Sequence, residues 1–209
     1  MVTKDEIKNG ELYNCYEVPE ELDNLVLQYK ELIYDFNNSR PSEIKLREDI
    51  IQKVFAEVGE CCYIEPPFHA NWGCNIHVGK NFYANFNLTV VDDTDVYIGD
   101  WVMIAPNVTI ATAGHPVCPE LREPPYQFNL PVHIGNRVWI GAGSIILPGV
   151  TIGDDTVIGA GSVVTKDIPS GVVAVGNPCR PLRPVTEKDY EYYTKDRKIK
   201  FDVPLRGRD

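Results

Sequence analysis

The chain has 209 residues, with 30 acidic side chains against 20 basic ones and a formal charge of -10. That balance excludes the basic footprint a nucleic-acid binder needs, and 44% hydrophobic with 24% charged residues excludes a disordered chain. No apolar run approaches the roughly 18 residues that span a bilayer.

The N-terminal stretch MVTKDEIKNGELYNCYE is polar and lacks the apolar core of a secretion signal. The 6 cysteines contain no C-x-x-C pair. Reduced thiols in a cytoplasmic protein are therefore expected, with no membrane and no nucleic-acid partner. From Leu22 the apolar residues Leu22, Leu25, Val26, Tyr29, Leu32, Ile33 and Phe36 recur at helical spacing, and Asn37, Asn38 and Pro41 end the run. Ser42 is placed to cap a second helix, whose face carries Ile44, Ile51, Val54, Phe55 and Val58, with Gly59 as its stop. Residues 1–60 thus read as a helical head.

Beyond the head the periodicity changes. Ile98, Ile104, Ile110, Ile134, Ile140, Ile146, Ile152, Ile158 and Val164 share one six-residue register, and Gly follows it at 99, 135, 141, 153 and 159. Small or β-branched residues recur four places on, at Val102, Val108, Val138, Ser144, Val150, Thr156 and Ser162. Helices of 10–15 residues do not fit between such short units. The pattern predicts stacked coils of short parallel strands, each aliphatic residue pointing inward and the small residues turning the corners. The fold class is all-β dominated, a parallel β-helix over 61–184. Ile76, Phe82 and Leu88 keep the spacing in another phase, so the coil adjusts before Ile98, in a stretch holding Asp92 and Asp93. A longer break with 5 prolines spans 111–131 and carries His115 between Gly114 and Pro116. The register resumes unchanged after it, as for a loop extruded from one coil. A charged, aromatic tail fills 185–209.

The segments IGDWVMIAPNVTI and IGAGSIILPGVTIGDDTVIGAGSVVTKDIP resemble the left-handed β-helix acyltransferases. NIHVGKNFYANFNLTVVDD, GHPVCPELR and VGNPCRPLR, together with LIYDFNNSRPSE in the head, are similar to the galactoside and maltose O-acetyltransferases, to about residue 184. That resemblance implies a left-handed coil, a homotrimer with sites between subunits, and acetyl-CoA as co-substrate with a sugar hydroxyl as acceptor.

Acetyl transfer to an alcohol needs a base and a partner for the oxyanion. An imidazole titrates where it can take and return a proton, and His115 matches the family's catalytic histidine. By the same resemblance Asn85 sits near the reacting centre, and Asp93, Tyr83 and Asn71 lie on the sugar side. An Asp pair at a coil bend reads equally well as solvated turn chemistry. At the head's sugar-facing acidic position stands Cys15 or Glu17. For the donor, Ala142 and Ala160 allow close approach of a thin pantetheine arm and Trp139 can pack on it. Thr165, Lys166, Arg180 and Arg183 fall where the family meets the nucleotide phosphates. No metal is expected. Two other readings use the same repeats: a zinc β-helix enzyme of the carbonic-anhydrase kind, needing three of His69, His77, His115 and His133 to converge, and a non-catalytic trimeric scaffold.

Overall fold

Three short strands and three corners make one coil, and the coils stack so that each strand pairs in parallel with its counterpart above. The computed structural model describes residues 2–201; residues 202–209 of the expected tail lie outside the described residues. The first face holds Glu57–Val58, Ile76–Val78, Val96–Ile98, Val132–Ile134 and Thr151–Ile152. The third holds Phe68–Ala70, Leu88–Val91, Thr109–Ala111, Ile145–Ile146 and Val163–Val164. The second holds Tyr63–Ile64, Tyr83–Ala84, Met103–Ile104, Trp139–Ile140, Val157–Ile158 and Val172–Val175, closed by Arg180–Pro184 folding back antiparallel. This is the expected parallel β-helix.

Side chains alternate across a strand, so the register residue and the one two before it both face inward. Ile104 and Val102 are buried, while Met103 between them is 53% exposed. The small or β-branched set is therefore not at the corners: Val102, Val108, Val138, Ser144, Val150, Thr156 and Ser162 form a second buried column. Its hydroxyls donate to backbone carbonyls, Ser144 and Ser162 to Gly159 and Thr156 to Pro169, as buried polar groups must. The corners are turned by left-handed backbone at Asn81, Trp101, Arg137 and Asp155 on one edge and at Asn87, Asn107, Gly143 and Gly161 on the next. Each N–H there bonds the coil below or above, as Trp101 N–H does to Lys80 O at 2.9 Å.

The phase change before Ile98 also resolves. Ile76, Phe82 and Leu88 belong to the second column; the register set is Val78, Ala84 and Val90, paired with Ile98, Ile104 and Ile110. Alanine at 84 conceals it. Two extra residues after Val90 lengthen that coil, and they admit the bend at Asp92 and Asp93. The glycines after the register residues have a steric cause: a Cβ on Gly99 would sit 2.6 Å from Asn136 Oδ1 and 2.8 Å from the Gly135 carbonyl carbon.

The head contains α1 (Lys4–Lys8), α2 (Glu20–Asn38) and α3 (Ile44–Val54). The second helix is shorter than its spacing suggests. It stops at Val54, and Val58 pairs with Val78 as the first rung of the coil. Ser42 does not cap it; Glu43 occupies that position without a side-chain bond. Ile33, Phe36, Ile51 and Val54 close the bottom of the column. Where the third face ends at Phe68–Ala70, Asn37 takes the place of a further strand: its Nδ2 donates to Phe68 O and its Oδ1 accepts from Phe68 N–H, both at 2.8 Å. Asn37→Ala leaves two backbone groups unpaired and is expected to cost about 1–3 kcal/mol, read as a lower urea midpoint with unchanged slope. An unchanged midpoint would show that water serves Phe68 as well as the amide does.

Candidate active site

The segment 111–131 leaves the coil after Ala111 and returns at Val132, and it does not dangle. Ala113–Gly114 pairs antiparallel with Tyr126–Asn129, and that strand pairs on its other side with Tyr13–Asn14 of the head. His115 follows the first of these strands and is exposed. Its Nδ1 lies 2.8 Å from Tyr126 O. A carbonyl only accepts, so Nδ1 carries the proton and the neutral ring has its lone pair on Nε2. An imidazole held this way can take a proton from a group placed before Nε2.

Under the same strand lies a buried polar cluster. Gln127 Nε2 is 2.9 Å from Asp93 Oδ1, 2.9 Å from the Tyr13 hydroxyl and 2.8 Å from Asn129 Oδ1. Asn71 Nδ2 donates to Asp93 Oδ2 at 2.9 Å. Asn129 Nδ2 donates to the Tyr13 hydroxyl and to Ile7 O, and the Cys15 thiol to Gln127 Oε1. Burial, reinforced by the Asp93 charge, pushes the Tyr13 phenol up to about 12 and raises the Cys15 thiol. Of the two residues considered at the head's acidic position, Cys15 joins this cluster. Glu17 lies beside Asn14 instead.

Asp92 and Asp93 are both buried, so the bend is not a solvated turn. Asp92 anchors the backbone: its carboxylate accepts from Trp72 N–H at 2.8 Å and Asn75 N–H at 3.3 Å. Burial raises its carboxyl to about 7 against the pull of those N–H groups. Asp93, the next residue, faces the cluster.

Asn85 follows Tyr83–Ala84. Its Oδ1 accepts from Phe86 N–H at 2.8 Å, so its Nδ2 is the end left to donate. Tyr83 stacks on Tyr63, ring centroids 6.2 Å apart and nearly parallel. No hydrogen bond joins His115 to Asn85, Tyr83 or Asp93 among the described residues.

The outward column of the second face runs Tyr63, Tyr83, Met103, Trp139, Val157, Val173, each paired with the next. It ends in arginine. Val173 pairs with Arg183 and Val175 with Arg180, while the extra residue Leu182 shifts the register between them. Residues 180 and 183 of a regular strand face opposite ways; the bulge returns both guanidinium groups to the outward side. Trp139 and Arg183 stand three strand spacings apart, about 14 Å. Ala142 and Ala160 stack one coil apart on the adjoining corner, joined by Gly161 N–H to Ala142 O at 2.8 Å. Segment 176–179 bonds to Val163, just before Thr165 and Lys166, both exposed. Arg183 is also held by Asp189 at 2.8 Å.

Sequence reasoning missed Tyr13, Gln127 and Asn129, because nothing local reveals that a head strand will lie against the loop. It missed Met103, Val157 and Val173 for less reason: each precedes or follows an inward residue and must face out. The four histidines do not gather. His77 and His133 stack on either side of Tyr97, at 4.6 and 4.9 Å, and no three His, Cys, Asp or Glu side chains form a metal-holding group among the described residues.

Residues 131–166 match the bacterial transferase hexapeptide family, and residues 7–59 the maltose acetyltransferase hexapeptide capping motif. Galactoside O-acetyltransferase of Escherichia coli K12 is 52% identical over 205 residues, 97% of this chain and 99% of that one. The chain belongs to the galactoside and maltose O-acetyltransferase family. A solved galactoside acetyltransferase in complex with coenzyme A superposes with a TM-score of 0.91 at 50% identity, over 96% of this chain and 100% of that one. A maltose O-acetyltransferase from Clostridium difficile 630 gives 0.86 at 46% identity, over 90% and 99%.

Asp92 supplies a test of this acetyltransferase's bend. Its folded pKa lies above the usual carboxylate value, so its contribution to stability is full at low pH and is lost as pH rises through 7. The melting temperature of the native protein minus that of Asp92→Asn should therefore fall between pH 5 and pH 8. A difference constant with pH would mean that Asp92 is ionised throughout.

Proposed function

We propose that this acetyltransferase moves the acetyl group of acetyl-CoA to a hydroxyl of a galactoside, maltose or a similar sugar, by direct transfer with His115 as general base. The observation that carries this reading is the Nδ1–H bond to Tyr126 O, which leaves Nε2 as the free base. Nε2 takes the hydroxyl proton as the oxygen attacks the thioester carbonyl. The tetrahedral intermediate then collapses, the thiolate leaves, and the proton on Nε2 passes to it. Products are the acetyl ester and free coenzyme A, with the base restored. The Nδ2 of Asn85, whose Oδ1 is held by Phe86 N–H, is suited to hydrogen-bond at the reacting centre.

On the acceptor side, each Asp93 oxygen already holds one N–H and keeps a lone pair for a sugar hydroxyl. Asn71 and Tyr83 complete that side. The donor lies along the outward column of the second face. Trp139 packs on the pantetheine arm, Ala142 and Ala160 let it approach the backbone, and Thr165, Lys166, Arg180 and Arg183 meet the phosphates. Lys166, Arg180 and Arg183 put three cations at this end, which favours it for an anionic donor. We further propose a homotrimer, supported by the exposed Met103 and Trp139 and by the lack of any hydrogen bond from His115 to Asn85, Tyr83 or Asp93 among the described residues. The loop of one protomer then completes the site of the next. Residues 1–60 act as head, with Glu57–Val58 giving the coil its first rung, 61–184 as catalytic body and 185–209 as tail. Free thiols and a cytosolic donor support action in the cytoplasm, and no helix among the described residues is long and apolar enough to cross a membrane.

The test is thiol release from acetyl-CoA with a panel of galactosides, glucosides and maltose. Release should depend on a sugar, and His115→Ala should lower turnover on the order of a hundredfold or more while coenzyme A binding persists. Unchanged turnover would remove His115 from the mechanism.

A further inference from the structure

A side-chain pair ties the tail back to the last strand of the second face. Arg183 Nη1 donates to Asp189 Oδ2 and Nη2 to Asp189 Oδ1, each at 2.8 Å, and Nη1 also donates to Pro184 O at 2.9 Å. Asp189 lies in the short helix α4 (Lys188–Glu191). Its Oδ2 accepts in addition from Thr186 N–H at 2.8 Å and the Thr186 hydroxyl at 3.1 Å. Together the guanidinium and the Thr186 donors hold the Asp189 carboxyl far below the usual carboxylate range, so it stays ionised at any working pH.

A guanidinium offers five N–H donors in a planar fork. The contacts with Asp189 and Pro184 use both donors of Nη1 and one of Nη2. The two that remain without a partner among the described residues, Nε–H and the second Nη2–H, lie side by side along one edge, spaced for two oxygens of a phosphate. Had Asp189 met the arginine through Nε, that edge would be consumed. The end-on grip leaves it whole. Arg183 is otherwise an exposed, long side chain on a surface strand, free to spread over many rotamers. Its partner in the outward column is Val173, so the direction in which the free edge is held decides whether it overlooks the groove.

We propose that Asp189 is a positioning residue for the donor: fixed by Thr186, it holds Arg183 with its free edge toward the phosphate end of the coenzyme A groove. This rests on the reading of Arg183 as a phosphate ligand given above. The pair is at the surface, where water and salt screen the repulsion between the Asp189 carboxylate and an incoming phosphate. The ordering of the arginine is not screened.

The experiment is calorimetric titration of the full chain with coenzyme A, combined with steady-state kinetics using acetyl-CoA and S-acetylpantetheine, a donor with no phosphate. Asp189→Ala should weaken coenzyme A roughly three- to tenfold, the cost of ordering one rotamer-rich side chain on binding. The change should fall in KM for acetyl-CoA with kcat unchanged, and kcat/KM for S-acetylpantetheine should not move. Asp189→Asn, which keeps one acceptor and the shape of the turn, should fall between. Adding Asp189→Ala to Arg183→Ala should cost nothing more. Tighter or equal binding by Asp189→Ala, while Arg183→Ala weakens it, overturns the positioning role alone. The same loss in the Arg183→Ala background also overturns it, because Asp189 would then act through the fold. If Arg183→Ala binds coenzyme A normally, the assignment of Arg183 fails first and this inference with it.

Discussion

The backbone hydrogen bond between one coil and the next is what everything else in this molecule hangs on. Tyr83 N–H reaches Val102 O, Met103 N–H reaches Val138 O, and Trp139 N–H reaches Thr156 O, all at close to 3 Å. Because these bonds are parallel and in register, equivalent residues stack in straight columns. Two columns per face point inward and make the core; the one between them points out and makes the surface. A solenoid of this kind does not assemble a binding groove from distant loops. It repeats one position until a surface results, and the identity of that surface depends on which residue each coil places there.

The buried polar cluster is built on the opposite principle. Tyr13 and Cys15 come from the head, Asn71 and Asp93 from the lengthened bends, and Gln127 and Asn129 from the segment that leaves the coil. They meet in one buried set of hydrogen bonds with no orphan side-chain atoms among the described residues. Such a cluster is costly to break at any one member, because each loss strands a buried partner. It also fixes the strand whose Tyr126 carbonyl holds His115. His115 is therefore carried on a ribbon pinned from below by Asp93 through Gln127 and from the side by the head.

The division explains what could be read in advance. The columns repeat within six residues, so the coil, the inward aliphatics and the outward place of Trp139 are local facts. The register was harder to follow below Ile98 because Ala84 stands where an isoleucine would mark it. The helix end at Val54 was obscured because Val58 suits a helix face as well as a first rung, and only pairing with Val78 decides between them. The small residues were legible as a pattern yet misleading in role: a serine two places before an isoleucine looks like a turn residue until its hydroxyl is seen bonded to Gly159 O. The place of Asp93 in the buried cluster could not be read from local pattern, since its partners are 22 and 34 residues away along the chain. The side-by-side arrangement of Arg180 and Arg183 was invisible for a different reason. Simple alternation sets them on opposite faces, and a single bulged residue reverses that.

One property of the outward column sets a rule for how this enzyme can change. The separation between Trp139 and Arg183 is counted in strands, so it cannot be tuned by small adjustments of a loop. Lengthening or shortening it means gaining or losing a whole coil, a step of about 4.8 Å each time. The column behaves as a ruler with fixed graduations. Substitutions along it can alter what the surface offers at each step, but the span between its aromatic end and its arginine end is held constant by the pitch of the backbone itself.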